Sequence, residues 1–159
     1  MLHSVRKRFE TWAILSRIAE ATGRVLRRPK LQTLKPLALI VDDDPDVAPL
    51  VRFALGRYEI SSEDVHEGAA ALARLRERHY DLVILDLTMA GLNGFDVLRA
   101  LKKEELLRAI PVIVLTSHSN DESLARSFGY GADDFVSKPF NPSDLAMRAY
   151  RLIYPMPRM

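Results

Sequence analysis

Two short apolar stretches of this chain each end in acidic residues, and this feature restricts the fold more than any other. Residues 82–85 form one stretch, and Asp86 follows it directly. A short apolar run bounded by charged residues and glycine is typical of a strand that is buried on both faces of a parallel sheet. In open α/β sheets, ligands bind outside the carboxyl ends of the strands. Asp86 is therefore a candidate for chemistry at a strand end.

The second stretch, residues 37–41, ends in a cluster of aspartates. Either Asp44 or Asp46 can cap the helix that follows, because aspartate is a favoured N-cap residue. That role leaves Asp42 and Asp43 unexplained, since neighbouring carboxylates repel each other unless a cation is bound. The sequence therefore indicates a cation near this strand end.

Strand and helix patterns alternate along the chain after residue 36. Apolar residues at helical spacing follow each strand pattern, and turn residues separate the two. The predicted order is β1 (37–41), α1 (47–55), β2 (58–65), α2 (67–80), β3 (82–86), α3 (95–107), β4 (110–117), α4 (121–128), β5 (134–138) and α5 (145–153). This alternation predicts an α/β fold with a doubly wound, five-stranded parallel sheet, helices on both faces and right-handed crossovers.

The predicted sheet gathers polar side chains at the edge where the carboxyl ends of its strands meet. Three carboxylates there suit a hard cation such as Mg²⁺, which prefers oxygen ligands. A lysine and a threonine offer the positive charge and the hydroxyl donor that phosphoryl oxygens require. Together they predict a phosphoryl-transfer site made of Asp42, Asp43, Asp86, Thr116 and Lys138.

Four motifs that carry these residues resemble those of the receiver domain of bacterial two-component response regulators. The motifs are LIVDDD at 39–44, DLTMAGLNG at 86–94, VLTS at 114–117 and FVSKPF at 135–140. The resemblance covers roughly residues 37–154 and implies a flavodoxin-like (βα)5 fold. It also implies that Asp86 takes a phosphoryl group from a sensor histidine kinase, a phosphotransfer protein or a small phosphodonor.

The resemblance further implies a metal site at the same edge. Asp43 and the main-chain carbonyl of Thr88 would bind Mg²⁺ directly. Asp42 would act partly through water, and Asp86 would belong to the metal site as well as being the phosphoacceptor.

The remaining motif residues have implied roles in catalysis and switching. Thr116 and Lys138 would hold the phosphoryl oxygens. Thr116 and Phe135 would form the switch that reports phosphorylation to the α4-β5-α5 face, where a downstream protein partner or a second copy would bind. The peptide bond between Lys138 and Pro139 is expected to be cis, an isomer that proline makes accessible. The chain would be a phosphoacceptor that assists its own phosphorylation and dephosphorylation, not an enzyme with a separate substrate.

An enzyme of a different class is the main alternative. The motifs of haloacid-dehalogenase-like phosphatases, which also form an aspartyl phosphate, are matched in order by Asp42 and Asp44, Thr116, Lys138, and the pair Asp133 and Asp134. In that family the first motif continues with threonine or valine, whereas Asp46 stands there in this chain. This alternative also leaves Asp86 without a role and the chain without room for a cap domain. A third alternative, a pseudo-receiver that only binds partners, does not explain the complete acidic set.

Residues 1–36 differ in charge from the rest of the chain. Nine lysines and arginines against two acids give this segment +7, whereas 14 against 19 give residues 37–159 a charge of −5. Apolar residues recur at helical spacing over residues 3–28, which predicts a basic amphipathic helix, and residues 29–36 form a proline-bounded linker. We expect the helix to pack on its own domain or in a homodimer. Docking to a kinase or another partner, to an anionic membrane surface or to nucleic acid are the alternatives.

Composition excludes several functional classes. The chain has no cysteine, so it has neither disulfides nor a thiolate metal site or nucleophile. Its apolar runs fall far short of the roughly 18 residues that a membrane span needs. A cytoplasmic protein is expected. Only six residues follow the predicted α5, so no DNA-binding domain is expected in this sequence, which is either a stand-alone receiver or a fragment of a longer protein.

Overall fold

The computed structural model describes residues 35–89, 91, 93–117 and 128–155 of the chain. Five parallel strands form one sheet in the order β2-β1-β3-β4-β5. The elements are β1 Leu37–Val41, α1 Val47–Gly56, β2 Ser61–Val65, α2 Gly68–Glu77, β3 Leu82–Asp86, α3 Gly94–Lys103, β4 Val112–Thr116, β5 Asp134–Ser137 and α5 Pro142–Ile153. The predicted flavodoxin-like parallel sheet is confirmed.

Two predicted helices lie outside the described residues. One is the amphipathic helix over 3–28. The other is α4, of which only the last predicted residue, Phe128, is described; Phe128 and the following Gly129 are both helical. We keep the label α4 for this predicted helix. No helix among the described residues is long and apolar enough to cross a membrane.

The three central strands are buried on both faces, as their continuous apolar sequences predict. Side chains of alternating residues enter two separate cores. Leu39 and Leu85 pack on one side of the sheet with α2 and α3, whereas Ile40 and Ile84 pack on the other side with α1 and α5. Burial of each such side chain is worth about 1.5–3 kcal/mol, so the cores hold the strand ends in fixed positions.

Strand β2 lies at the edge of the sheet and is shorter than the prediction of 58–65. It begins only at Ser61, which pairs with Leu37 of β1. The preceding residues instead close the end of α1, where the Tyr58 and Ile60 amides both donate to the Leu55 carbonyl. Glu59 has a φ of 57°, which no strand residue adopts.

Two helices end earlier than their apolar patterns predict. Helix α2 ends at Glu77 rather than Tyr80, because Arg78 has an extended backbone and the Tyr80 side chain turns into the core. Helix α3 ends at Lys103 rather than near Leu107. After it the chain turns back, and Leu107 reaches the core from a turn instead of from the helix.

Candidate functional site

The carboxyl ends of β1, β3, β4 and β5 bring a lysine between two buried aspartates. Asp42, Asp86 and Thr116 are 1%, 3% and 1% exposed, so all three are shielded from bulk water. The Lys138 Nζ lies 2.7 Å from Asp42 Oδ2 and 2.9 Å from Asp86 Oδ2. The structure therefore brings Asp42, Asp86 and Lys138 into contact at the predicted edge of the sheet, and Thr116 is buried at the end of the neighbouring strand β4.

Backbone amides hold the second oxygen of each carboxylate. Asp86 Oδ1 accepts a hydrogen bond of 2.8 Å from the Thr88 amide, and Asp42 Oδ1 accepts one of 3.0 Å from the Asp44 amide. Each buried carboxylate is thus bonded to the backbone through one oxygen and to the ammonium of Lys138 through the other. This pattern fixes the orientation of both side chains before any ligand arrives.

Burial and the contacts between Asp42 and Lys138 shift the pKa values of both groups. Burial raises the pKa of Asp42 above its ordinary value, and this effect outweighs the hydrogen bond from Lys138 that lowers it. Burial alone would lower the pKa of Lys138, but its hydrogen bonds to Asp42 and Asp86 outweigh that effect and raise it. Lys138 is therefore charged at neutral pH and partly neutralises the two carboxylates.

Asp43 adds a third carboxylate at the solvent side of the pair. It is exposed, and one carboxylate oxygen from each of Asp42, Asp43 and Asp86 lies within 4.8 Å of the others. Hard divalent cations such as Mg²⁺ bind to oxygen ligands of this kind, usually to one or two carboxylates while keeping several waters. The donor set fits Mg²⁺, because its exposed member leaves room for the waters.

The end of β4 is tied to the end of β5. Thr116 is the last residue of β4, and its carbonyl accepts a hydrogen bond of 2.8 Å from the Lys138 amide. The Lys138–Pro139 peptide bond is cis, as predicted from the resemblance. Phe135 is half-buried against the core on the α2 and α3 side of the sheet. Its role as a rotating switch stays a prediction.

The loop after Asp86 returns over the strand end because a glycine allows very close packing. A Cβ on Gly94 would lie 2.1 Å from the Asp86 carbonyl oxygen and 2.5 Å from the Leu87 Cα. Asn93 caps α3 by accepting a hydrogen bond of 3.0 Å from the Asp96 amide. The start of α3 therefore lies directly against the backbone that carries Asp86.

Residues 38–150 match the family model described as the response regulator receiver domain. This match covers most of the chain and includes every site residue described above and all five strands except Leu37, the first residue of β1. The chain belongs to the response regulator receiver family. It is the receiver domain of a response regulator in two-component signalling.

Similar proteins are response regulators of bacteria. The receiver is 35% identical over 118 residues to the DNA-binding response regulator MtrA of Mycolicibacterium smegmatis, a match that covers 74% of this chain and 50% of MtrA. It is 33% identical over 122 residues to the transcriptional regulatory protein ResD of Bacillus subtilis, covering 77% and 50% of the two chains. The chain spans about half the length of these curated relatives.

A solved structure supports the fold. The signal receiver domain of a signal transduction histidine kinase from Syntrophus aciditrophicus is 35% identical, with a TM-score of 0.70, over 78% of this chain and 94% of that one. Neither this structure nor the relatives favour the haloacid-dehalogenase-like alternative.

Two features of the receiver differ from the sequence prediction. Asp46 occupies the N-cap position of α1 but makes no side-chain cap; instead Asp44 Oδ1 accepts a hydrogen bond of 2.9 Å from the Asp46 amide. His66 was not predicted to belong to the site, yet its Nδ1 lies 3.0 Å from the Asp42 carbonyl oxygen. A single histidine after an irregular strand pattern carries no signal that would have identified it.

Proposed function

We propose that this receiver accepts a phosphoryl group on Asp86 from the phosphohistidine of a sensor histidine kinase or phosphotransfer protein, within a two-component phosphorelay. The observation that supports this most strongly is the position of Asp86. It is the only carboxylate among the described residues that ends the central strand β3 and contacts both Lys138 and a loop amide. Membership of the receiver family also supports Asp86 as the phosphoacceptor.

The proposed transfer needs an ionised acceptor and groups that hold the phosphoryl oxygens. A carboxylate oxygen of Asp86 attacks phosphorus, an O–P bond forms, and the P–N bond to the kinase histidine breaks so that its electron pair returns to the imidazole. The Lys138 ammonium, already at the carboxylate, would move to a phosphoryl oxygen, and the Thr116 hydroxyl would donate to another. Such preorganised donors stabilise the charge of the transition state.

Mg²⁺ is the proposed cofactor. It would be held by Asp43, by Asp42 in part through water, by Asp86 and by the main-chain carbonyl of Thr88. When bound, the ion supplies positive charge that offsets repulsion between the incoming phosphoryl group and the carboxylates. The grouping of the Asp42, Asp43 and Asp86 oxygens supports this assignment.

We further propose that the phosphorylation signal leaves through the α4-β5-α5 face to a protein partner, which includes a second copy of the chain. The described part of this face carries an ordered charge network. Arg148 of α5 donates to Asp134 of β5 at 3.1 Å and to Asp144 of its own helix at 2.8 Å. Such a network can exchange partners with charges on another protein, which supports the assignment. Thr116 and Phe135 would connect the phosphoryl group to this face.

Intact-mass measurement after incubation with acetyl phosphate and Mg²⁺ tests the proposed phosphoacceptor. We expect the wild-type chain to gain one phosphoryl group and Asp86→Asn to gain none. Asp46→Asn removes an exposed aspartate near the same edge and should be phosphorylated like the wild type. If Asp86→Asn still gains the group and Asp42→Asn does not, the haloacid-dehalogenase-like alternative is correct.

A further inference from the structure

His66 links the edge strand β2 to the acidic end of β1. Its Nδ1 lies 3.0 Å from the main-chain carbonyl oxygen of Asp42. On the other side of the ring, Nε2 lies 3.5 Å from Asp64 Oδ2. Asp64 in turn forms an ion pair with Arg52 of α1. The ring is therefore oriented from two sides, by the carbonyl of Asp42 and by a carboxylate that α1 holds.

The contact falls on the peptide group that joins two of the acidic residues. A carbonyl oxygen only accepts hydrogen bonds, so Nδ1 carries the proton in this contact and donates it. The carbonyl belongs to the Asp42–Asp43 peptide group, whose plane sets the direction in which the Asp43 side chain leaves the backbone. The Asp42 amide, on the preceding peptide group, donates to the Val65 carbonyl at 3.2 Å. The end of β2 thus holds the backbone on both sides of Asp42.

We propose that His66 is a positioning residue for the metal site, which it orients through the Asp42–Asp43 peptide group. This inference rests on the proposed Mg²⁺ site. His66 does not contact the metal; it fixes the peptide plane so that the exposed Asp43 carboxylate stays near those of Asp42 and Asp86. Residues that orient metal ligands without contacting the metal typically change the metal affinity by about 10–100-fold when they are replaced.

Because His66 is exposed, an experiment can distinguish a positioning role from a general contribution of this residue to stability. Its side chain is 54% exposed, so replacing it creates no cavity in either core. Substitutions at such surface positions usually change the free energy of unfolding by no more than about 0.5 kcal/mol. A loss of metal affinity without a loss of stability would therefore identify positioning.

Three chains of 159 residues provide the test: the wild type, His66→Phe and His66→Asn. Phenylalanine keeps a ring but removes both nitrogens, whereas asparagine places an amide N–H near the position of Nδ1. Titration with MgCl₂ in a calorimeter should show the Kd for Mg²⁺ raised about tenfold in His66→Phe. This is the lower end of the range above, because His66 contacts only the backbone and not a ligand atom. In His66→Asn the Kd should return to within about twofold of the wild-type value. Metal-free thermal unfolding should be nearly the same in all three.

Amide NMR of the metal-free chains supplies a second readout. The Asp43 amide resonance should shift in His66→Phe and return towards its wild-type position in His66→Asn. Wild-type Mg²⁺ affinity in His66→Phe overturns the assignment, as does an affinity in His66→Asn as weak as that of His66→Phe. A large drop in the melting temperature of His66→Phe that accounts for the lost affinity also overturns it. A wild-type chain that binds no Mg²⁺ overturns the proposed metal site together with this inference.

Discussion

The Lys138 ammonium lies 2.7 Å from Asp42 Oδ2, although 96 residues separate the two in the chain. The same ammonium reaches Asp86 at 2.9 Å, so one cation serves the two buried carboxylates. This contact exists only because the parallel sheet brings the ends of β1, β3 and β5 to one edge. It links the stability of the fold to the chemistry of the site.

Replacement of Lys138 by methionine should destabilise the protein. The change leaves two buried carboxylates without their cation, and removing one partner of a buried ion pair costs about 3 kcal/mol or more. Lys103→Met, a change at an exposed lysine of α3, should cost no more than about 0.5 kcal/mol. Urea unfolding at neutral pH measures both. Equal stabilities of the two variants would show that the buried contact contributes nothing to the fold.

Replacement of Gly94 by alanine should disturb the backbone of Asp86. The new methyl group would lie 2.1 Å from the Asp86 carbonyl oxygen, so the start of α3 must move. Such overpacking typically costs about 1–3 kcal/mol, and here it should also slow phosphorylation by acetyl phosphate. Gly56→Ala is the matched control, because a Cβ at Gly56 meets nothing within 4 Å. A Gly94→Ala chain as stable and as reactive as Gly56→Ala would contradict the close packing.

Mg²⁺ affinity should depend on Asp43 much more than on Asp44. Asp43 belongs to the group of three carboxylates, whereas the Asp44 side chain accepts a hydrogen bond from the Asp46 amide ahead of α1. Calorimetric titration of Asp43→Ala and Asp44→Ala with MgCl₂ compares the two roles. Equal losses of affinity would mean that the metal-binding pair is displaced by one residue from our assignment.

Tyr80 should make stability fall at high pH. Burial, followed by its hydrogen bond to Glu63, raises the pKa of Tyr80 from 10.0 to about 12. The folded state therefore favours the protonated phenol, and its stabilising effect is complete below pH 10 and is lost as pH rises towards 12. A difference of this size corresponds to about 2–3 kcal/mol.

Tyr80→Phe isolates this effect from the titration of other groups. The free energy of unfolding of the wild type should fall relative to that of Tyr80→Phe between pH 10 and 12, the window set by the two pKa values. Urea unfolding at a series of pH values measures the difference. Parallel curves for the two chains would show that Tyr80 ionises as easily in the folded state as in the unfolded state.

The fold was predictable where burial dictates the sequence. Strands β1, β3 and β4 are apolar because both faces of each strand are covered. The ends of these apolar runs identified Asp42, Asp86 and Thr116 as site residues from the sequence alone. Strand β2 was harder to place, because an edge strand needs few apolar residues and its sequence SSEDV alternates weakly. Its register is set by pairing with β1, which no local pattern reveals.

The unpredicted features depend on contacts between distant residues. The Lys102 ammonium donates to the Ile110 carbonyl at 2.8 Å and approaches Asp133 at 3.2 Å, which holds the turn after α3 against the start of β4. Apolar residues at helical spacing continue through that turn to Leu107, so the sequence pattern extends the predicted α3 beyond its actual end at Lys103. His66 was missed for a similar reason, because its contact is with a backbone carbonyl 24 residues away.

Mapping the modified residue tests the central claim most directly. After phosphorylation with acetyl phosphate and Mg²⁺, treatment with borohydride reduces an aspartyl phosphate to homoserine, which peptide mass spectrometry locates. We predict homoserine at position 86 and nowhere else. Homoserine at position 42, with an unmodified Asp86, would contradict the assignment of Asp86 as the phosphoacceptor.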